Sequence, residues 1–129
     1  GVAARAVDRD LAAVELAPES IKGCISRYGS SADLVICREV LEHLTVAQVA
    51  EVVTLLFSLA KHAVYITTRH HDGPLFACRD DRETDPTHQT LLTQPFLRAL
   101  CVLNGGKRRR DLEARLDWQQ KGRVLVYEI

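Results

Sequence analysis

Asp33-Leu-Val-Ile-Cys-Arg-Glu-Val-Leu-Glu-His-Leu44 opens with a four-residue apolar run, residues 34–37, and closes in a charged turn. An apolar run this short, without polar alternation, reads as a strand buried on both faces, as parallel strands covered by helices are. Arg38, Glu39, Glu42 and His43 then stand at that strand's C-terminal end. Open α/β sheets bind ligands in the crevice outside the carboxyl ends of their strands, so chemistry is expected here. If the turn is helical, Glu39, Glu42 and His43 are spaced i, i+3 and i+4 and share one face.

Downstream, Thr45 followed by Gln48 is a capping-box pattern that starts a helix. Its polar residues Gln48, Glu51, Thr54, Ser58 and Lys61 form a narrow stripe, so the helix is expected to be well covered and to serve as scaffold. Residues 63–68, Ala-Val-Tyr-Ile-Thr-Thr, are rich in β-branched and aromatic types and read as a strand. Residues 69–87 carry neither period, and loops of that length commonly serve as lids or binding loops. Thr93 and Pro95 open a second helix that runs to the stop at Gly105-Gly106. Leu112, Ala114, Leu116 and Trp118 alternate with charged residues and predict a strand, paired as a hairpin with residues 124–129. Upstream, residues 3–9 read as a short strand ending in Asp8, residues 11–16 as a brief helix broken by Pro18, and residues 21–25 as another strand. Tyr28-Gly-Ser-Ser31 makes the turn into the central strand.

At 129 residues and 47% hydrophobic content, residues 1–129 are expected to form one α/β domain with a modest core. No apolar run approaches a membrane span. The 17 Lys and Arg balance the 17 Asp and Glu, so no long-range field steers a nucleic acid to the molecule. Cys24, Cys37, Cys78 and Cys101 lack CxxC spacing and are expected as buried free thiols, which points to a reducing, cytoplasmic setting. The chain contains no Met, which suggests a processed or excised piece. His70-His71 with Cys78 matches no common zinc framework, so these histidines are expected to be exposed loop residues. Lys107-Arg-Arg-Arg110 is the single basic run and reads as a solvated corner.

The opening stretch closely resembles the "FDLV…EVLEHL" segment of class I S-adenosylmethionine-dependent methyltransferases, and Asp85-Pro-Thr-His88 with Thr93 resembles the "DPTH…T" stretch that many of them carry. The resemblance implies a Rossmann-like methyltransferase sheet, mostly parallel, with a C-terminal antiparallel hairpin. In that pattern Asp8 would accept hydrogen bonds from the cofactor ribose. Cys24 stands where an adenine-binding Asp is usual, leaving the backbone at Cys24 and Ile25 to make that contact. Arg38 and Glu39 would border the cofactor, while His43 and the loop through His88 would face the acceptor. Residues 1–7 carry no glycine-rich cofactor turn, so the domain is expected to be incomplete at its N-terminus and to lack the usual first strand. A partner chain, a swapped segment or a homo-oligomer would then complete the sheet.

The activity so implied is methyl transfer from S-adenosylmethionine to an oxygen or nitrogen acceptor, with a small molecule favoured and His43 or His88 as general base. An alternative follows from Glu-x-x-Glu-His with a later His, which resembles the metal site of small-RNA 2′-O-methyltransferases. Glu39, Glu42, His43 and His88 would then hold Mg²⁺ or Mn²⁺ and the acceptor would be RNA. A third reading is an inactive methyltransferase-like interaction module.

Overall fold

A computed structural model describes residues 6, 7, 15, 25, 26 and 31–129, apart from Pro74 and residues 79–83. Two compact units divide the chain, Gly1–Ser31 and Ala32–Ile129. In the first, strand β1 (Ala6–Val7) pairs in parallel with β2 (Ile25–Ser26), where strands were expected, and Glu15 is helical. Asp8 and Cys24 lie outside the described residues.

The second unit runs β3 (Ala32–Arg38), a 3₁₀ turn (Leu41–His43), α1 (Val46–Leu59), β4 (Ala60–Thr67), β5 (Ala77–Cys78), β6 (Thr90–Leu91), α2 (Gln94–Leu103), β7 (Lys107–Arg108), α3 (Arg110–Leu116) and β8 (Val124–Glu128). Its main sheet has the order β3-β4-β8-β7. The β3 and β4 strands are parallel, whereas β8 is antiparallel to both β4 and β7. A parallel start joined to an antiparallel C-terminal part is the expected arrangement.

The core forms where α1 and α2 cover one face of this sheet. Val49, Val53, Leu56 and Phe57 of α1 meet Val64 and Ile66 of β4, Leu97 and Cys101 of α2, and Leu125 and Tyr127 of β8. Burial holds the thiols of Cys37 and Cys101 protonated, each with its pKa pushed up to about 12. Both are free, as expected, whereas the free Cys78 is exposed.

The capping box is present. The Thr45 hydroxyl accepts from the Gln48 amide, and the Gln48 side chain accepts from the Thr45 amide. Thr45→Ala should therefore cost about 1 kcal/mol, because the Gln48 amide loses its acceptor. Urea denaturation of both forms checks it, with a shift of midpoint at constant slope expected.

Three expectations are corrected. The β3 strand is not buried on both faces: Leu34 is 50% and Ile36 61% exposed, while Val35 and Cys37 pack toward the core. Within this sheet β3 is an edge strand, and α1 covers one face of it. Second, residues 110–116 form the helix α3, so the antiparallel partner of β8 is the short β7. Leu, Glu, Ala and Arg are strong helix formers, and Asp111 and Glu113 in the first turn with Arg115 in the last suit the helix dipole. The side chain α3 buries is Glu113, none of the alternating apolar set. Third, the basic run is solvated only in part: Lys107 and Arg110 are exposed, whereas Arg108 and Arg109 are tied into the fold. Arg108 donates through Nε and Nη2 to the Glu113 carboxylate at 2.7–3.0 Å, and Arg109 bridges Asp111 and Glu128 at 2.8 and 3.2 Å. Glu113 Oε1 also accepts from the Val126 amide at 3.2 Å, beyond the point where β7 stops pairing with β8.

Candidate functional site

Parallel register places Arg38 of β3 beside Thr67 of β4, so the C-terminal ends of the two strands open on the same side. The chain leaves β3 through Glu39, whose backbone is held left-handed at φ 51 and whose amide donates to the Thr67 carbonyl at 2.8 Å. A non-glycine residue in that conformation costs about 1 kcal/mol, and such residues gather at functional sites. The 3₁₀ turn that follows sends Leu41 and Glu42 inward and leaves His43 half-buried.

Glu42 is 2% exposed. One carboxylate oxygen, Oε2, accepts from the Thr68 hydroxyl at 2.8 Å, and Oε1 has no hydrogen-bond partner. Burial pushes its pKa up, reinforced by the neighbouring Glu39 carboxyl, while the Thr68 hydroxyl opposes the shift. A buried carboxylate oxygen without a donor is costly to maintain, so this atom is a natural partner for a cation or a ligand hydroxyl.

The segment before α2 closes over the turn. The Gln89 amide donates to the Glu42 carbonyl at 2.9 Å, and the Thr90 hydroxyl donates to the Leu44 carbonyl at 2.6 Å. These bonds bring His88 to His43, edge to face, with ring centroids 4.8 Å apart. One ligand atom each of Glu42, His43 and His88 lies within 4.8 Å of the others. Two ligands of one Mg²⁺ or Zn²⁺ ion are at most about 4.3 Å apart, so a contraction of half an ångström would let all three reach a common ion. Glu39 stands outside this trio, exposed beside Glu42.

Each imidazole is fixed from one nitrogen. His43 Nδ1 lies 3.3 Å from the Thr87 carbonyl, and His88 Nε2 lies 3.5 Å from Asp85 Oδ2. Asp85 is kept ionised by hydrogen bonds from the Thr87 hydroxyl and amide at 2.7 and 2.8 Å, which hold its pKa down. The remaining nitrogen of His88, Nδ1, is shut off from solvent. If Nδ1 of His43 donates to the carbonyl, its Nε2 keeps a lone pair for an incoming proton.

The structure thus brings Glu42, His43 and His88 together, with Arg38 and Glu39 exposed at the same strand end. Ile25 belongs to β2 of the other unit. Sequence reasoning did not single out Thr68, the donor to Glu42, or Thr87, which anchors both Asp85 and His43; neither has a local signal beyond ending a strand or filling a turn.

His70, expected as an exposed loop residue, is largely enclosed. Its pKa is lowered to about 4, first by burial; a hydrogen bond with the Arg123 backbone opposes the shift, the charges of Arg98 and Arg123 add to it, and Glu39 opposes it. The unfolded chain binds this proton below about pH 6.5 while the folded chain refuses it until about pH 4, so stability falls as pH drops through that window. The loss should reach roughly 3 kcal/mol by pH 4. Guanidinium denaturation at pH 7 and pH 4.5 checks it: His70→Phe should shrink the difference, and an unchanged difference would exclude His70 as its source.

No protein-family profile and no curated protein matches the sequence. Among solved structures, the chain is similar to an O-methyltransferase family protein from Burkholderia thailandensis. The TM-score is 0.52 at 18% identity, over 84% of this chain and 36% of that one. It is also similar to a Nostoc punctiforme protein named as an O-methyltransferase, with TM-score 0.49 and 15% identity over 85% of this chain and 38% of that one. The chain therefore spans little more than a third of the length of these proteins. The first likeness shows the fold, a Rossmann-like α/β sheet of the methyltransferase type.

Proposed function

We propose that this chain, with its methyltransferase-type sheet, serves methyl transfer from S-adenosylmethionine to a small-molecule acceptor, through oxygen in preference to nitrogen. The observation that carries the reading is the convergence of Glu42, His43 and His88 at the C-terminal end of β3, where such sheets bind their ligands. Arg38 and Glu39, exposed at that end, are suited to polar groups of the cofactor, which when bound supplies the electrophilic methyl group. Displacement at a sulfonium needs alignment of nucleophile and methyl more than any other aid. The protein's own contribution is to place the acceptor and take its proton.

His43 is assigned that proton, at Nε2, because its ring is held through Nδ1 and because Nδ1 of His88 is closed off. The Glu42 carboxyl stands beside it with Oε1 unpartnered but shut off from solvent, and meets the acceptor only once a side-chain movement uncovers that oxygen. His88, fixed by Asp85, packs edge-on against His43 and sets its tilt. An imidazole general base of this kind contributes about a hundredfold or more to rate.

The same trio supports a second reading, a Mg²⁺ or Mn²⁺ site with RNA as the acceptor. The donorless Oε1 of Glu42 beside two imidazoles is a donor set those ions accept, and Glu39 is close enough to Glu42 to join after a side-chain movement. A bound ion would lower the pKa of a coordinated hydroxyl.

Calorimetric titration with S-adenosylhomocysteine, with and without Mn²⁺, tests both. Micromolar binding without the metal supports the first reading. Binding that strengthens with Mn²⁺ and loses this response in Glu42→Gln and His88→Ala supports the second. Absence of binding under both conditions would sink autonomous methyl transfer by this chain.

A further inference from the structure

A second cleft of about 380 Å³ lies between α2, α3 and the start of β8, lined by Gln94, Arg98, Arg108, Arg110, Glu113 and Asp117. Three guanidinium groups thus face two carboxylates, and both carboxylates are already committed. Glu113 is held by Arg108 through three N–O contacts and also takes the Val126 amide. Asp117 accepts the Lys121 amide at 3.2 Å through Oδ1 and the Gly122 amide at 2.6 Å through Oδ2. Arg98 and Arg110 make no ion pair with a carboxylate among the described residues, and the three cations of the lining against its two carboxylates leave the cleft one net positive charge.

Arg98 is also pre-positioned. Its Nη2 donates to Gln94 Oε1, and Gln94 Nε2 donates to the Gly122 carbonyl at 2.6 Å, which ties α2 to the turn before β8. Its Nε is buried without an acceptor, so one donor of this half-buried side chain is left unsatisfied. Holding a partly buried cation this way is unfavourable unless something anionic completes it. A planar guanidinium with free edges is matched best by a carboxylate or phosphate, through paired charge-assisted hydrogen bonds. The cleft has room for a small molecule carrying such a group, and Val124 in its wall pairs with Thr67, at the same sheet end as Glu42 and Thr68.

We propose that the cleft between α2, α3 and β8 is a binding site for a small oxyanion ligand, a carboxylate or a phosphate monoester, gripped by Arg98 and Arg110 with Arg108 as the fixed wall. It does not rest on the methyl-transfer reading, and neither cofactor nor acceptor enters its test.

The test is calorimetric titration of the protein with inorganic phosphate and, separately, with acetate, at an ionic strength held constant with sodium chloride. Saturable binding of at least one anion is expected, and a preference between them identifies the phosphate or the carboxylate as the favoured group. Arg98→Gln and Arg110→Gln should each weaken binding by about tenfold, the worth of one charge-assisted contact. Arg110 is exposed and has no ion pair among the described residues, so its variant keeps the test valid if Arg98→Gln fails to fold. Lys61→Gln, exposed at the opposite end of β4, should bind as the parent does. No saturable binding of either anion, or binding of parental strength in Arg110→Gln, overturns the proposal.

Discussion

Glu42→Gln should slow the proposed methyl transfer by about a hundredfold and at the same time raise the melting temperature at neutral pH. The two effects have one cause. Glu42 is buried, one of its oxygens is bonded to Thr68 and the other to nothing, and burial first, then the Glu39 carboxyl, pushes its pKa up. An acid whose folded pKa is raised holds its proton more tightly folded than unfolded. Its contribution to stability is therefore lost as pH rises above the ordinary carboxylate range. Glutamine keeps the acceptor for Thr68, carries no charge to desolvate, and removes that slope. Scanning calorimetry at pH 5 and pH 8 reads the stability, and release of S-adenosylhomocysteine reads the rate. A variant that melts lower at pH 8 would contradict the strain argument, and one with unchanged rate would remove Glu42 from the site.

Gly106→Ala should destabilise the protein by about 2–3 kcal/mol through overpacking. A Cβ there would stand 2.5 Å from Phe57 Cε1, 2.9 Å from Tyr127 Cδ1 and 3.0 Å from the Cys101 carbonyl oxygen. The two rings pack edge to face with centroids 6.0 Å apart, and both belong to the core, so neither can yield cheaply. The carbonyl accepts the Gly106 amide and is fixed as well. The adjacent Gly105 is a contrast. Nothing lies within 4 Å of its virtual Cβ, but its φ of +88° is left-handed. Gly105→Asn should therefore be tolerated within about 1 kcal/mol, since asparagine accepts such conformations, whereas Gly106→Asn should not. Denaturation of both variants separates crowding from backbone preference. Equal losses would mean that the close approach of Phe57 and Tyr127 is not what requires glycine.

What the sequence disclosed follows the range of the interactions concerned. Thr45 with Gln48, and Thr93 with Pro95, are contained within a single helical turn, and both caps stand where their spacing put them. The strands around residues 34–37 and 63–67 were legible because their apolar content is continuous. By contrast, Leu112, Ala114, Leu116 and Trp118 alternate by coincidence. Their own helix propensity and the pairing of Glu113 with Arg108 decide that segment, and the pairing is invisible to a period of two. The inward turn of Glu42 depends on Thr68 and Gln89, and the charge acting on His70 comes from Arg98 and Arg123, all from distant parts of the chain. The meeting of His43 with His88 could be expected through family resemblance alone, since 44 intervening residues carry no local sign that Gln89 and Thr90 will lie across the turn.

The bond between Glu113 and the Val126 amide bears on how this protein behaves when crowded. Beyond β7, the outer edge of β8 would present main-chain groups to any passing strand. Instead the Arg109 amide takes the Val126 carbonyl, and the Glu113 carboxylate takes the Val126 amide. A foreign strand could displace them only by stripping Arg108 of its counter-ion, which makes that flank a poor template for fibrils. Concentrated solutions should therefore not polymerise through this edge, and Glu113, which looks like one more surface acid in the sequence, acts as its stopper.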